Sequence, residues 1–117
     1  MNLQFEIAAE ENVLIILLKG KIISESDTSE LEQEFGKLLN QNLNKVILDL
    51  SELTHINSTG IGMMIKMLTK SRILGGDLVI LGLQGNVAKI FDIAKLDEVF
   101  TIYSDKNNAL EHFKQTA

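Results

Sequence analysis

The chain has 117 residues, 45% hydrophobic and 23% charged, which suits one domain with a core of its own. Eleven basic against sixteen acidic residues give a net charge of −5. This argues against direct nucleic-acid binding, which needs a basic face, because the densest basic group (Lys66, Lys70 and Arg72) sits on one expected helix. Cysteine is absent, which excludes disulfides and thiolate metal sites and fits a reducing compartment.

The N-terminal stretch MNLQFEIAAEEN lacks the basic start and apolar run of a secretory signal. Leu3, Phe5 and Ile7 alternate with Asn2, Gln4 and Glu6, a period of two that predicts a half-buried strand. Glu10-Glu11-Asn12 predicts a turn. Val13 to Leu18, the longest unbroken apolar run, is far short of the ~20 residues that span a bilayer. It reads as a strand covered on both faces, ending at Gly20 and forming a hairpin with the first. A cytoplasmic protein without membrane insertion is expected.

Asp27 followed by Glu30 resembles a capping box, and Leu31, Phe35, Leu38 and Leu39 continue at helical spacing. Lys45 to Leu50 is a second continuous run and predicts a central strand. Asp49, near its end, lies where active-site carboxylates often sit; a capping or loop-tethering role is the favoured reading. After His55-Ile56-Asn57-Ser58-Thr59-Gly60-Ile61-Gly62, the spacing of Ile61, Met64, Ile65 and Leu68 predicts a helix that stops near Gly75-Gly76. In that phase Met63 and Met67 fall on the outer flank, where methionine suits an adaptable contact surface, unless a neighbouring helix covers them. Leu78 to Leu81 is a third buried strand, closed by Gly82. Val87, Ile90, Phe91 and Ala94 repeat at helical spacing, Val99 to Tyr103 predicts a short edge strand, and Ala109, Leu110 and Phe113 a last helix. The order ββαβαβαβα predicts one α/β domain over residues 1–117. Its sheet is mixed, with four or five strands and helices mostly on one face.

Catalytic motifs are poorly matched. A nucleophile elbow at Ser58 would need glycine two residues to either side; Gly60 is present, but Ile56 occupies the other position. His55 could approach Ser58, yet no acid is placed to orient it. Neither phosphate-loop pattern is met, and two separated histidines with scattered acids do not make a metal site. No enzyme activity, cofactor or metal is expected. Asn57, Ser58 and Thr59 are all good helix caps. Only one is needed, so the others are either incidental small residues or hydroxyls on display.

The segments Val46-Ile47-Leu48-Asp49-Leu50-Ser51, Asn57-Ser58-Thr59-Gly60-Ile61-Gly62, Gly75-Gly76 and Leu96-Asp97-Glu98-Val99-Phe100 together resemble the STAS domain of bacterial anti-sigma factor antagonists. The resemblance covers nearly the whole chain. It implies that Ser58 is phosphorylated by a partner, an anti-sigma factor that is also a serine kinase. It also implies that the unphosphorylated form binds this partner and frees the sigma factor, and that a serine phosphatase resets the switch. His55, Asn57, Ser58, Thr59, Gly60, Met63 and Met67 are the expected partner-binding residues, on a monomer. The chain departs from the family pattern at Asn57, where an acid is usual, at Thr59, which replaces a second serine, and at Lys21-Ile22-Ile23-Ser24, which lacks an acid often found there. The alternative is a STAS module that is never phosphorylated, acting as a scaffold or as a cytosolic subunit of a transporter.

Overall fold

The computed structural model describes residues 2–114; Met1 and residues 115–117, the ends of the expected 1–117 domain, lie outside the described residues. The elements are β1 (Leu3–Glu10), β2 (Val13–Ile22), α1 (Glu25–Leu39), β3 (Lys45–Ile56), α2 (Ser58–Ile73), β4 (Asp77–Leu81), α3 (Gly85–Ile93), a 3-10 turn at Leu96–Glu98, β5 (Thr101–Tyr103) and α4 (Lys106–Lys114). The strands form a five-stranded sheet in the order β1-β2-β3-β4-β5. β1 is antiparallel to β2 and all other pairs are parallel. Because the order never reverses, every crossover steps the same way. Right-handed crossovers then place α1, α2 and α3 on one face.

The core divides accordingly. Leu14, Ile16, Leu18, Val46, Leu48, Leu50, Leu78 and Ile80 point to one side, where Leu31, Phe35, Met63, Met64, Met67, Leu68, Val87 and Phe91 meet them. The alternate residues Val13, Ile47, Val79 and Leu81 point to the other side, covered by Ala109, Leu110 and Phe113 of α4. Burial on both faces explains why these strands read as continuous apolar runs. The hairpin turns on Glu11 and Asn12, both at positive φ (54° and 67°), the backbone that suits a two-residue connection between twisted strands.

Several expectations shift. α1 begins at Glu25, with Ser24 as its cap and Asp27, not Glu30, as the acid that reaches back: the Asp27 carboxylate accepts from Ser24 N–H at 3.1 Å. β3 runs six residues past Leu50, because its second half continues to pair with Lys19–Ile22 through two register shifts. The last strand is only Thr101–Tyr103, since the chain before it closes the 3-10 turn. Asp49 accepts from Ser51 N–H at 3.0 Å, in keeping with a tethering role.

The largest correction concerns α2. Met63 and Met67, expected on the outer flank, are buried at 1% and 2% exposure, while Ile65, expected inside, is 38% exposed. The buried stripe is Gly60, Met63, Met64, Met67, Leu68 and Ser71. The helix packs against both the sheet and α1, and its first half is apolar on nearly every side, so spacing alone does not fix its rotation. One member of that stripe is misfitted: the Ser71 hydroxyl is fully buried with no hydrogen-bond partner among the described residues. An orphaned buried hydroxyl costs about 1–3 kcal/mol. Ser71→Ala should therefore raise the stability of the fold by about 1 kcal/mol, read as an upward shift of the urea midpoint at unchanged slope.

Candidate functional site

The site is the junction between the end of β3 and the start of α2. The backbone at Asn57 is extended (φ −124°), and its side-chain Oδ1 accepts from Thr59 N–H at 3.1 Å and Gly60 N–H at 3.3 Å. Asn57 is thus the N-cap. Its other amide end, Nδ2, donates to the Ile23 carbonyl at 2.8 Å. Ser58 is therefore the first helical residue; it is exposed, and its hydroxyl has no hydrogen-bond partner among the described residues. Thr59 is half-buried beside it.

Gly60 fixes the approach of the helix. A Cβ there would lie 2.7 Å from Ile56 Cγ1 and 2.9 Å from Ile22 Cγ2, so only glycine lets the first turn of α2 settle on the ends of β2 and β3. At Gly62, by contrast, a Cβ would meet nothing within 4 Å. That position opens onto a cleft of about 640 Å³ between α1 and α2. Ser58, Thr59, Gly62, Lys66 and Lys70 form one wall; Glu25, Thr28, Ser29, Glu32 and Gln33 form the other. Lys66 and Glu32 pair across it at 3.5 Å.

His55 does not join this cleft. It lines a smaller hollow of about 260 Å³ with Gln84, Gly85 and Asn86. Its Nδ1 lies 2.9 Å from Thr54 Oγ1, and Thr54 donates its single hydroxyl proton to the Gly20 carbonyl at 2.9 Å. Nδ1 of His55 must then be the donor. Among the described residues no hydrogen bond joins His55 to Ser58 and none joins the ring to a carboxylate; a serine nucleophile works through both contacts. Among the described residues no group of His and carboxylates is placed to hold a metal ion. None of their helices is long and apolar enough to cross a membrane.

The structure thus brings Asn57, Ser58, Thr59 and Gly60 together, leaves His55 in a neighbouring hollow, and puts Met63 and Met67 beneath the surface. The outward positions of α2 next to Ser58 are Ile61, Gly62 and Ile65, with Ile23 (50% exposed) on the adjoining loop. The α1 wall and Ile23 carry no local signal, because they lie some thirty residues away and reach the site only through the β2-α1-β3 crossover.

Two carboxyls brace the fold, Asp27 beside this junction and Asp77 at the opposite end of the sheet, where it pairs in register with Lys45. Ile23 N–H foremost, with Ser24 N–H and Asn2, holds the Asp27 carboxyl below its usual value. At Asp77 burial opposes ionisation, but hydrogen bonds from His112, Leu78 N–H and Arg72 outweigh it and the carboxyl is also lowered. A lowered folded-state value contributes stability above the unfolded carboxyl value of about 3.9 and loses it as pH falls through the folded value. Urea midpoints should therefore hold from pH 7 to about 5 and decline below about 4, and Asp77→Asn should flatten that decline. Gly60→Ala should cost about 1–3 kcal/mol through overpacking, while Gly62→Ala should leave the urea midpoint nearly unchanged or raise it.

The model of the STAS domain matches residues 4–109. Among similar curated proteins, BtrV of Bordetella bronchiseptica is 26% identical over 104 residues, 89% of each chain, and its naming as an anti-sigma factor antagonist is itself provisional. An anti-sigma F factor antagonist of Paenibacillus polymyxa is 24% identical over 110 residues, 94% of each chain. Among solved structures, the anti-sigma factor antagonist SpoIIAA in its unphosphorylated form superposes with a TM-score of 0.81 at 15% identity, covering 96% of this chain and 97% of that one. An anti-sigma factor antagonist from Mycobacterium paratuberculosis gives 0.81 at 18%, covering 96% and 94%. At these identities the structural likenesses speak for the fold. With the family's model matched over nearly all of the described residues, and its strand, cap and helix meeting at Asn57, the chain belongs to the STAS domain family.

Proposed function

We propose that residues 1–117 form one cytoplasmic, monomeric STAS domain acting as an anti-sigma factor antagonist. It is a binding module rather than an enzyme. Its partner is an anti-sigma factor with serine kinase activity, and phosphorylation of Ser58 ends the association. The observation that carries this reading is the Ser58 hydroxyl: exposed, unpartnered among the described residues, and at the first position of α2. The names of the relatives from Paenibacillus and Bordetella support the same class. Unphosphorylated, the protein holds the anti-sigma factor and frees the sigma factor; a serine phosphatase returns it to that state. The docking face is built from Asn57, Ser58, Thr59 and the outward side of α2, with Met63 and Met67 supporting it from below and His55 at its border. It engages neither nucleic acid nor membrane, and needs no cofactor.

Phosphate adds about −1.5 to −2 charges and three acceptor oxygens. At the N-terminus of α2 the helix dipole favours such a group, and no acidic residue occupies that first turn. Phosphorylation is therefore compatible with the fold and acts at the interface. A partner seated on the neutral hydroxyl would have to desolvate an unpaired dianion, which costs several kcal/mol. A hundredfold loss of affinity needs only about 2.7 kcal/mol.

Asn57, standing where the family usually has an acid, favours the second reading, a STAS scaffold that is never phosphorylated. Incubation with a kinase-type anti-sigma factor and ATP, followed by intact-mass measurement, separates the two. A single phosphate that is absent from Ser58→Ala supports the switch; no gain supports the scaffold. In binding experiments Ser58→Ala should stay folded and bound in the presence of ATP. Ser58→Asp should fold with a near-native melting curve and bind at least tenfold more weakly. Loss of the fold in Ser58→Asp would contradict a switch that acts at the interface alone.

A further inference from the structure

Asp27 is buried at 6% exposure, and a carboxylate is seldom so enclosed without a task. Its Oδ2 accepts from Ile23 N–H at 3.0 Å and Ser24 N–H at 3.1 Å. The same residue, Ile23, offers its carbonyl to Asn57 Nδ2 at 2.8 Å, and Asn57 Oδ1 receives Thr59 N–H and Gly60 N–H. One peptide unit on each side of Ile23 thus links the N-terminal cap of α1 to the N-terminal cap of α2. The Ile23 side chain contributes little to this anchoring, being 50% exposed. What fixes the loop is polar: its N–H on Asp27 and its C=O on Asn57. The residue before it, Ile22, is fully buried and is one of the two side chains that a Cβ at Gly60 would strike. A shift of this loop would therefore disturb both the cap and the packing of the first turn that carries Ser58.

We infer that Asp27 is a positioning residue for Ser58, acting from α1 through Ile23 and Asn57 on the first turn of α2. The hydrogen bonds of its carboxylate go to the loop at Ile23 and Ser24 and to Asn2, not to Ser58 or the α2 backbone, so its effect on α2 passes through Ile23. The consequence for partner binding rests on the reading of Ser58 as the switch hydroxyl, whereas the coupling itself belongs to the free protein and is measured there.

The test is a double-mutant cycle read by amide hydrogen exchange on the full chain, with Ile80 N–H in the interior strand β4 as the reference for global opening. Asp27→Ala should speed exchange at Thr59 and Gly60 by about tenfold or more relative to Ile80. In an Asn57→Ala background, where the link is already cut, the same change should alter that ratio by less than about twofold. Asp27→Asn keeps one acceptor oxygen and should fall between, and it serves if the alanine variant fails to fold. Equal acceleration at Thr59, Gly60 and Ile80 would mean that Asp27 only stabilises the domain and would overturn the inference. So would an undiminished effect in the Asn57→Ala background. If the coupling is found but a kinase-type anti-sigma factor leaves Ser58 unmodified, the switch fails and the positioning link stands. If Ser58 is modified at the same rate and with the same KM in Asp27→Asn as in the parent, the positioning claim fails and the switch stands.

Discussion

The close seat of α2 on the ends of β2 and β3 is the contact on which the rest depends. It exists because residue 60 has no side chain where Ile22 and Ile56 press from below. A helix lifted by one methyl group would pull Thr59 N–H and Gly60 N–H off the Asn57 cap and would change what Ser58 presents to solvent. It would also unseat Met63, Met64 and Met67, which fill the space between the sheet and α1. Side chains of this flexible, unbranched kind suit an irregular gap, and here the gap is set by how low the first turn sits. The exposed hydroxyl and the buried methionines are two ends of one packing solution.

Much of this is legible in the sequence, and most of what is not shares a cause. Strands buried on both faces announce themselves as unbroken runs, so β2, β3 and β4 can be read nearly in place. A monotonic alternation of strands and helices leaves little freedom of topology. Asn57 to Gly60 can be located because cap chemistry is local. The rotation of α2 is not local. Ile61, Met63, Met64, Ile65, Met67 and Leu68 present apolar groups in several directions, and what they pack against, the sheet and α1, is brought there by distant parts of the chain. The start of α1 is a local matter of register: Asp27 and Glu30 look like a box, while the box formed is one turn earlier, between Ser24 and Asp27. The far wall of the cleft, with Glu25 and Glu32, becomes part of the site only through the crossover that lays α1 beside α2.

Two features of the cleft bear on how charge at Ser58 would be felt. Its α1 wall carries Glu25 and Glu32 and its α2 wall Lys66 and Lys70, so the unmodified cleft is close to balanced. A dianion at one end would tip it towards negative. Lys66 is already paired with Glu32 at 3.5 Å and largely exposed, a pair of the kind worth well under 1 kcal/mol, and it offers no strong internal home for the new charge. The phosphate would remain outward, where a partner must either desolvate it or leave. Under the proposed switch, an internal basic pocket would hide the added charge; the cleft beside Ser58 has only the exposed Lys66 and Lys70 among its described lining.

Asn57 then reads as a matched change rather than a loss. A carboxylate at this position could still cap Thr59 N–H and Gly60 N–H, but it would turn a second acceptor towards the Ile23 carbonyl, now 2.8 Å from an amide donor. The amide satisfies both sides at once. The segment Lys21-Ile22-Ile23-Ser24 carries no acid of its own, and the carboxylate that braces the loop comes from Asp27, in the first turn of α1. Two of the three departures from the resembling pattern, Asn57 and Lys21-Ile22-Ile23-Ser24, meet in a single hydrogen bond between the loop and the cap. An acid at residue 57 alone would break that bond, because a carboxylate has no proton to give the Ile23 carbonyl, so the neutral cap and the loop braced by Asp27 have to be understood as one unit.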